Sequence, residues 1–217
     1  MLISLLPATT VGTFASPSEQ ENSGTDDLFT ISNQKELYEF AKRVNAGETG
    51  LNAALIADIT VNRNVLKDDG TLSEGADKFL SWVPIGSNGN RYVGFFDGQG
   101  HTISGLYFSD TDAVYAGLFG YVGENGRIEN VGIIDSYFMG KSYVGGIVAF
   151  CMDGSITDCR NAGTVSSKEA TDPTKVGGIC GILSGMKLKK AIISGCINTG
   201  SVYGGSSEEA TTGGICG

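Results

Sequence analysis

The sequence predicts a mainly β fold in which successive coils stack as a β-solenoid, with an amphipathic helix capping its N-terminal end. Glycine-centred segments recur between residues 114 and 217, and one stretch near the N-terminus has helical periodicity. The chain has 33 glycines and 4 prolines among 217 residues, about twice the usual share of glycine. With 41% hydrophobic residues, this composition is typical of short strands and tight turns rather than of a disordered chain.

The recurring segments carry pairs of glycines and keep their order while their spacing drifts. They cover residues 144–147, 176–179 and 212–215, and a variant covers residues 115–120. The glycines Gly117, Gly146, Gly178 and Gly214 are separated by 29, 32 and 36 residues. Anchors that stay in phase at variable spacing indicate stacked coils with loops of different length.

A second anchor, an isoleucine followed three residues later by an apolar residue, recurs between the glycine segments. Its copies are Ile103 with Leu106, Ile128 with Val131, Ile156 with Cys159, and Ile193 with Cys196. We expect the isoleucines to form one interior column and their partners another, each buried isoleucine contributing roughly 1.5–3 kcal/mol. Asn161 and Asn198 follow the last two copies at equivalent positions, where a ladder of stacked amides is an open alternative to two left-handed corners.

The predicted helix covers residues 34–46. Asn33 is suited to the N-cap, and Glu36 three residues later completes a capping box. The helix buries an apolar face at the spacing of i, i+3, i+4 and i+7, formed by Leu37, Phe40, Ala41 and Val44. Gly47 can take the left-handed conformation that ends a helix. A helix before a strand array is best placed over the open end of the stack.

The chain divides into four predicted parts. Residues 1–15 look like the rear half of a secretory signal peptide without its basic front, too short to span a membrane. Residues 16–27 form a polar linker, residues 28–81 an N-terminal cap, and residues 82–217 the glycine-rich repeats. The last repeat stops in mid-motif, so we expect the array to continue past Gly217 and the isolated chain to self-associate through an open edge.

The net charge of −9 and a pI near 4.6 disfavour nucleic acid and anionic lipid as partners. The basic cluster of Lys187, Lys189 and Lys190 is interpreted as a solvated loop. Neither membrane insertion nor a cofactor is predicted.

The five cysteines leave two interpretations open. Cys159 and Cys196 occupy equivalent positions, as do Cys180 and Cys216, while Cys151 falls outside this pairing. Neighbouring coils lie about 4.8 Å apart, which is compatible with disulfides. The favoured interpretation is that these cysteines replace valine or leucine in the interior.

The segment Gly117-Leu118-Phe119-Gly120 resembles the core of the GLUG-motif repeats, and residues 146–149, 178–181 and 214–217 resemble looser copies. The stretch 82–103 is similar to what precedes such repeats in bacterial surface proteins. The resemblance covers roughly residues 28–217. It implies a right-handed parallel β-helix or a related solenoid in secreted or wall-attached proteins, among them adhesin-like proteins and non-catalytic regions of immunoglobulin A1-type peptidases. It implies no catalytic residues.

Three constellations could carry chemistry, and each is interpreted as structural. His101 lies four residues after Asp97 beside a turn, with no nucleophile fixed near it. Asp110 and Asp112 are too incomplete a motif for calcium. Paired carboxylates for glycoside cleavage would have to come from Asp110, Asp112, Glu129, Asp135, Asp153 and Asp158. No catalytic, cofactor-binding or metal-binding residue is therefore assigned.

Four tyrosines near strand ends leave two roles open. Tyr107, Tyr137, Tyr143 and Tyr203 could stack on sugars or a protein partner, or fill corners of the coil. The sequence favours a non-catalytic, secreted or cell-surface segment of an adhesin-like protein that binds a host or cell-surface protein or glycan. The alternatives are the N-terminal spacer of a larger surface peptidase and a polysaccharide-acting β-helix lyase or hydrolase.

Overall fold

The computed structural model describes residues 28–168, 174–186, 190–205 and 207–217. The signal-like segment 1–15, the linker 16–27, and Lys187 and Lys189 of the basic cluster lie outside these residues. Within them one α-helix, α1 (Gln34–Asn45), accompanies short strands and a single 3₁₀ turn at Ala76–Lys78. No described helix combines the length and apolar character that a bilayer crossing requires.

The strands are short because tight corners interrupt them. In chain order they are β1 (Phe29–Ile31), β2 (Ala53–Leu55), β3 (Ile59–Thr60), β4 (Phe95–Asp97), β5 (Thr102–Ser104), β6 (Tyr107–Ser109), β7 (Tyr115–Ala116), β8 (Phe119–Val122), β9 (Arg127–Glu129), β10 (Gly132–Gly140), β11 (Tyr143–Gly145), β12 (Val148–Met152), β13 (Ser155–Thr157), β14 (Arg160–Ser167), β15 (Lys175–Gly177), β16 (Cys180–Ser184), β17 (Ile192–Ser194), β18 (Ile197–Asn198), β19 (Val202–Tyr203) and β20 (Thr211–Gly213).

These strands form four sheets, and all the strand pairs between them are parallel. The first sheet has the order β1-β2-β4-β9-β13-β17. The second has the order β18-β14-β10-β5-β3, with β6 beside β10 and β19 beside β14. The third has the order β20-β15-β11-β7, and the fourth β16-β12-β8. The mainly β class and the parallel strands predicted from the repeats are therefore confirmed.

The chain visits the sheets in a fixed order, and this order defines its coils. Strands β4 to β8, β9 to β12, and β13 to β16 each pass through the first, second, third and fourth sheets in turn. We call these coil 1, coil 2 and coil 3. Coil 4 begins at β17 and reaches the fourth sheet through the pairing of Cys216 with Cys180. Each coil therefore completes the backbone hydrogen bonds of the previous one.

The predicted isoleucine column is confirmed for three of its four members. Ile128, Ile156 and Ile193 are in register on β9, β13 and β17. Ile103 is not in this column: it pairs with Ile133 in the second sheet, and Phe96 takes its place above Ile128. The prediction was wrong for Ile103 because the pattern of an isoleucine followed three residues later by an apolar residue also occurs on the second sheet of coil 1.

The partner column has the same error at the same coil. Val131, Cys159 and Cys196 follow one another at one corner, since Arg160 N–H donates to the Val131 carbonyl and Ile197 N–H donates to the Cys159 carbonyl, both at 2.9 Å. Leu106 lies at the next corner, where its N–H donates to Ser136 Oγ at 2.9 Å.

Helix α1 agrees closely with its prediction. Asn33 caps it, with Oδ1 accepting from the Glu36 N–H at 3.1 Å. The predicted capping box is shifted by one residue, because the Glu36 carboxylate accepts from the Ser32 N–H at 2.7 Å rather than from Asn33. The predicted apolar face is buried. Its Phe40 ring lies 5.7 Å from that of Phe96 in coil 1, so the helix packs on the coil interior.

Buried tyrosines give the fold a defined response to alkali. Burial raises the pKa of Tyr38 to about 12 and raises that of Tyr92 further; in an unfolded chain both titrate near 10. The unfolded state therefore loses protons first as the pH rises, and we expect stability to fall between about pH 10 and 12. Thermal melts across this range should show the decline, and Tyr92→Phe should reduce it. A Tyr92→Phe profile identical to that of the natural chain would contradict this assignment.

Candidate interaction surface

The glycine pairs create the corner between the third and fourth sheets. A Cβ on the first glycine of a pair, Gly145 or Gly177, would collide with the backbone carbonyl three residues later. Only glycine lets the chain fold back this tightly. As a result, in coils 2 and 3 only two residues separate the strand of the third sheet from that of the fourth.

The second glycine of each pair accommodates an asparagine of the following coil. A Cβ on Gly146 would lie 2.5 Å from Asn161 Cγ, and Gly178 is covered in the same way by Asn198. The two amides stack, with Asn161 Nδ2 donating to Asn198 Oδ1 at 2.9 Å. The open alternative of an amide ladder is therefore what the structure contains.

Coil 1 has neither the second glycine nor an asparagine facing it from the following coil. Its corner is one residue shorter, because Ala116 pairs with Val144 while Phe119 pairs with Val148. The asparagine position of the following coil is occupied by Ile133, which is in register with Asn161. In coils 2 and 3 the second glycine of the pair thus faces an asparagine of the following coil, and coil 1 has neither residue.

Outside this corner lies a cluster of aromatic rings that we call the aromatic corner; its members are partly exposed except for Tyr121, which is buried. It consists of Tyr115 and Tyr121 of coil 1 and Tyr143 and Phe150 of coil 2. Tyr115 stacks on Tyr143 with ring centroids 5.6 Å apart, and Tyr121 lies 4.7 Å from Phe150. Phe150 also meets the edge of Tyr143 at 5.4 Å. Two coils and two sheets therefore contribute to one continuous aromatic surface.

Cations border the aromatic corner on two sides. The Arg91 guanidinium lies 4.7 Å from the centre of the Tyr121 ring, and Lys175 follows Tyr143 in register on the next coil. The pKa of Tyr115 is raised, first by burial and then by the neighbouring Tyr121 and Tyr143. The surface thus combines apolar ring faces, phenolic hydroxyls and flanking positive charge, on a protein whose overall charge is negative.

Of the four tyrosines singled out by sequence, only Tyr143 belongs to the aromatic corner. Tyr107 and Tyr137 stack on each other between coils, 6.4 Å apart, and Tyr203 is exposed on coil 4. Sequence reasoning missed Tyr115, Tyr121 and Phe150 as members of a surface. A signal was present, since Tyr115 and Tyr143 both stand two residues before the first glycine of a repeat.

His101 and Asp97 are not brought together as a catalytic pair. His101 Nδ1 lies 3.4 Å from Asp58 Oδ1, and the Asp58 carboxylate also accepts from the Thr102 N–H at 2.7 Å. Asp97 accepts from the Gln99 N–H within its own turn at 2.8 Å.

The other candidate carboxylates lie mainly in turns and corners. Asp110 accepts from the Asp112 N–H at 2.9 Å, and Glu129 contacts Arg127 at 3.2 Å. Three of them have positive φ angles of 45° to 56°, a conformation that aspartate tolerates better than most residues: Asp135, Asp153 and Asp158. Asp135 accepts from the Leu66 N–H and Asp153 from the Met186 N–H. In the described part of the chain, no group of three or more metal-ligating side chains could hold an ion.

In this structure the five cysteines are in the reduced form. Cys151, Cys159 and Cys180 are buried and continue interior columns that hold valine in the preceding coil, as the favoured interpretation predicted. Cys196 and Cys216 are half-buried on coil 4.

A second concave region lies beside the helix. A groove of about 780 Å³ runs between α1 and residues 80–83, where Tyr38, Leu80 and Val83 provide apolar surface. Tyr38 is fixed there by its hydroxyl, which donates to the Ser81 carbonyl at 3.0 Å.

No protein-family model matches the chain. A segment of 56 residues, 26% of the chain, is 45% identical to a protein of Evansella cellulosilytica described as a Gly-rich membrane protein. A segment of 90 residues, 42% of the chain, is 34% identical to the halomucin of Haloquadratum walsbyi. The matched segments make up 6% and 1% of these two proteins, so the chain corresponds to a small part of either.

The fold is similar to a solved structure. A crystal structure assigned as an immunoglobulin A1 protease from Bacteroides ovatus superposes with a TM-score of 0.59 over 81% of this chain, at 22% identity. The match covers 48% of that protein. At this identity the similarity concerns the fold alone.

Proposed function

We propose that this chain is a non-catalytic segment of an exported, cell-surface protein, serving as a stalk or as a binding surface. Its coils would form a right-handed parallel β-helix with α1 as the N-terminal cap. The observation that carries the proposal is the fixed passage of coils 1 to 3 through the same four sheets, an architecture that extends by adding coils. The names of the Gly-rich membrane protein and of halomucin support a surface location.

The proposed repeat class is the GLUG-motif class. The glycine segments that resemble it begin directly after β7, β11, β15 and β20, which are in register with one another. In coils 2 and 3 the glycine just before the segment permits the corner, and the first glycine of the segment accommodates the asparagine of the next coil.

Surface location is tested in the source organism with an epitope tag on the full-length protein. Antibody against the tag should bind intact cells, and protease added outside the cells should remove the tag. A tagged protein that stays in the cytosol would overturn the proposal.

We propose the aromatic corner as the binding surface and a glycan as its partner, because ring faces stack on sugar C–H groups while hydroxyls and flanking cations hydrogen-bond to them. A panel of purified cell-surface polysaccharides is the probe. Tyr143→Ala should weaken binding at least tenfold, and Tyr203→Ala, which removes an exposed ring outside the corner, should leave it unchanged. Equal affinities for the two variants, or no binding to any glycan, would contradict the assignment.

A second candidate function is the N-terminal spacer of a larger surface peptidase, favoured by the fold similarity to the immunoglobulin A1 protease. The full-length protein would then cleave immunoglobulin A1, and Tyr143→Ala would not change its rate. Intact substrate after prolonged incubation would exclude this candidate.

A polysaccharide-acting lyase or hydrolase is a third candidate, and it rests on analogy with other β-helices. The carboxylates of Asp110, Asp135 and Asp153 already accept hydrogen bonds from backbone N–H groups, which favours a structural role for them over catalysis. New reducing ends or unsaturated products from the glycan panel would establish it.

The 217-residue chain alone is expected to self-associate. Ile192, Ile197, Tyr203 and Ile215 of coil 4 are 37–54% exposed, and the described strands of coil 4 pair with coil 3 only. Light scattering at high concentration should detect dimers or larger species; a monomer would contradict this proposal.

A further inference from the structure

We propose that Cys159 with Cys196, and Cys180 with Cys216, are oxidised to two disulfides that join coil 4 covalently to coil 3. This inference goes beyond the proposed function and does not depend on it. The geometric basis is register. The strand pairs on both sides of Cys159 and Cys196 keep one offset, with Thr157 opposite Ser194 and Arg160 opposite Ile197.

The other pair is in register directly. Cys180 and Cys216 form a parallel bridge in the fourth sheet, and the Cys180 N–H donates to the Ile215 carbonyl at 2.9 Å. In-register residues of neighbouring parallel strands are about 4.8 Å apart, within the Cα separations that disulfides span. Closing each bond requires the Cβ atoms to approach slightly, since disulfides hold them at about 3.5–4.5 Å.

The thiols of each pair also influence each other's pKa. A hydrogen bond from the Cys159 thiol lowers the pKa of Cys196 to about 7, and one from Cys180 lowers that of Cys216 to about 7. The same contact and burial raise the pKa of Cys159, while burial first and then the contact raise that of Cys180. Each pair therefore has one accessible, thiolate-forming member on coil 4 and one buried member on coil 3.

This asymmetry defines the order of the oxidation. The oxidant is a disulfide, either a small one such as oxidised glutathione or that of a thiol–disulfide oxidoreductase. The Cys196 or Cys216 thiolate attacks one oxidant sulfur, and the other oxidant sulfur leaves as a thiolate. The buried partner then loses its proton and attacks the mixed disulfide, which releases the second oxidant thiol. Two protein thiols are oxidised, and one oxidant disulfide is reduced to two thiols.

Cys151 provides a matched control. It is buried like Cys159 and Cys180, but its in-register neighbours are Val122 and Leu183. It contributes no sulfur to either proposed bond, so Cys151→Ala should leave both disulfides intact.

The reduced 217-residue chain is incubated with oxidised glutathione and analysed by intact mass and by peptide mapping without reductant. The expected product has lost four hydrogen atoms, links the two proposed pairs, and keeps one free thiol. The two disulfides close loops in the chain, and they should raise the midpoint of thermal unfolding by roughly 10 °C. Adding a reductant should return the midpoint to its original value. Cys196→Ala should abolish one bond and leave the Cys180–Cys216 bond. Five alkylatable thiols after oxidation, or linkage through Cys151, would overturn the proposal.

Discussion

Replacing Gly146 with valine is expected to unfold the repeat region or destabilise it by about 4 kcal/mol or more. A Cβ at this position would lie 2.5 Å from Asn161 Cγ and 2.5 Å from the Gly178 carbonyl oxygen. Both obstacles belong to the next coil, so neither can move without separating coils 2 and 3. Denaturant unfolding followed by far-UV circular dichroism measures the loss.

The matched control is Gly214→Val, at the equivalent position of the last glycine pair. A Cβ on Gly214 meets no described atom within 4 Å, and we expect a change of less than about 0.5 kcal/mol. Equal destabilisation by the two substitutions would show that valine disturbs the corner itself and that the facing asparagine is irrelevant.

Replacing Asn161 with aspartate is expected to cost about 3–5 kcal/mol at neutral pH. Asn161 is buried, and its Nδ2 donates to Asn198 Oδ1. A carboxylate of the same shape would place a buried negative charge against that acceptor oxygen.

Acidification should recover part of this loss. Burial and the facing oxygen raise the pKa of the new carboxyl in the folded state above its unfolded value near 3.9. The penalty is therefore smallest below about pH 4, where both states are protonated, and grows as the pH rises through the folded-state pKa. The difference in unfolding free energy between variant and natural chain, measured from pH 4 to 7, isolates this contribution.

Asn198→Asp is the paired comparison. Its retained Oδ1 still accepts from Asn161, and the position is half-buried, so we expect a loss of only about 1 kcal/mol. Similar losses for both variants would contradict the donor–acceptor direction of the ladder.

The sequence predicted the elements whose cause is local. The apolar face formed by Leu37, Phe40 and Val44 predicted the helix. The glycine pairs predicted the strands of the third sheet, because the same tight corner follows each of those strands. The isoleucine anchor predicted the first sheet correctly from coil 2 onwards, because the same residue type recurs at the same position of each coil.

The sequence placed Ile103 of coil 1 in the wrong column because coil 1 has a different residue at the isoleucine position of the first sheet. Phe96 replaces isoleucine in the first sheet, where it packs against Phe40 of the helix, and Ile103 repeats the anchor spacing one sheet later. A single pattern with spacing three cannot distinguish two sheets of one coil. Only the pairing of Ile103 with Ile133 resolves the register.

The aromatic corner could not be predicted as a surface because its members come from different coils and sheets. Tyr115 and Tyr143 share a motif position, but Tyr121 and Phe150 meet them only after the glycine corner folds one sheet back on the next. The contact between the second glycine of a pair and the asparagine of the following coil was also not evident in the sequence, because the two residues lie 15 residues apart in one case and 20 in the other.

The register of the stacked coils can be measured as a distance between two spin labels. Labels on genetically encoded ketone residues at Arg127 and Ile192 leave the cysteines unchanged. Both positions are exposed and each pairs with Ser155, one coil apart on either side. Two coil steps place their Cα atoms about 10 Å apart, so we predict strong dipolar broadening. The control pair of Arg127 and Ile197, in different sheets, should show much weaker broadening. Equal or absent broadening in both pairs would contradict the stacked parallel register.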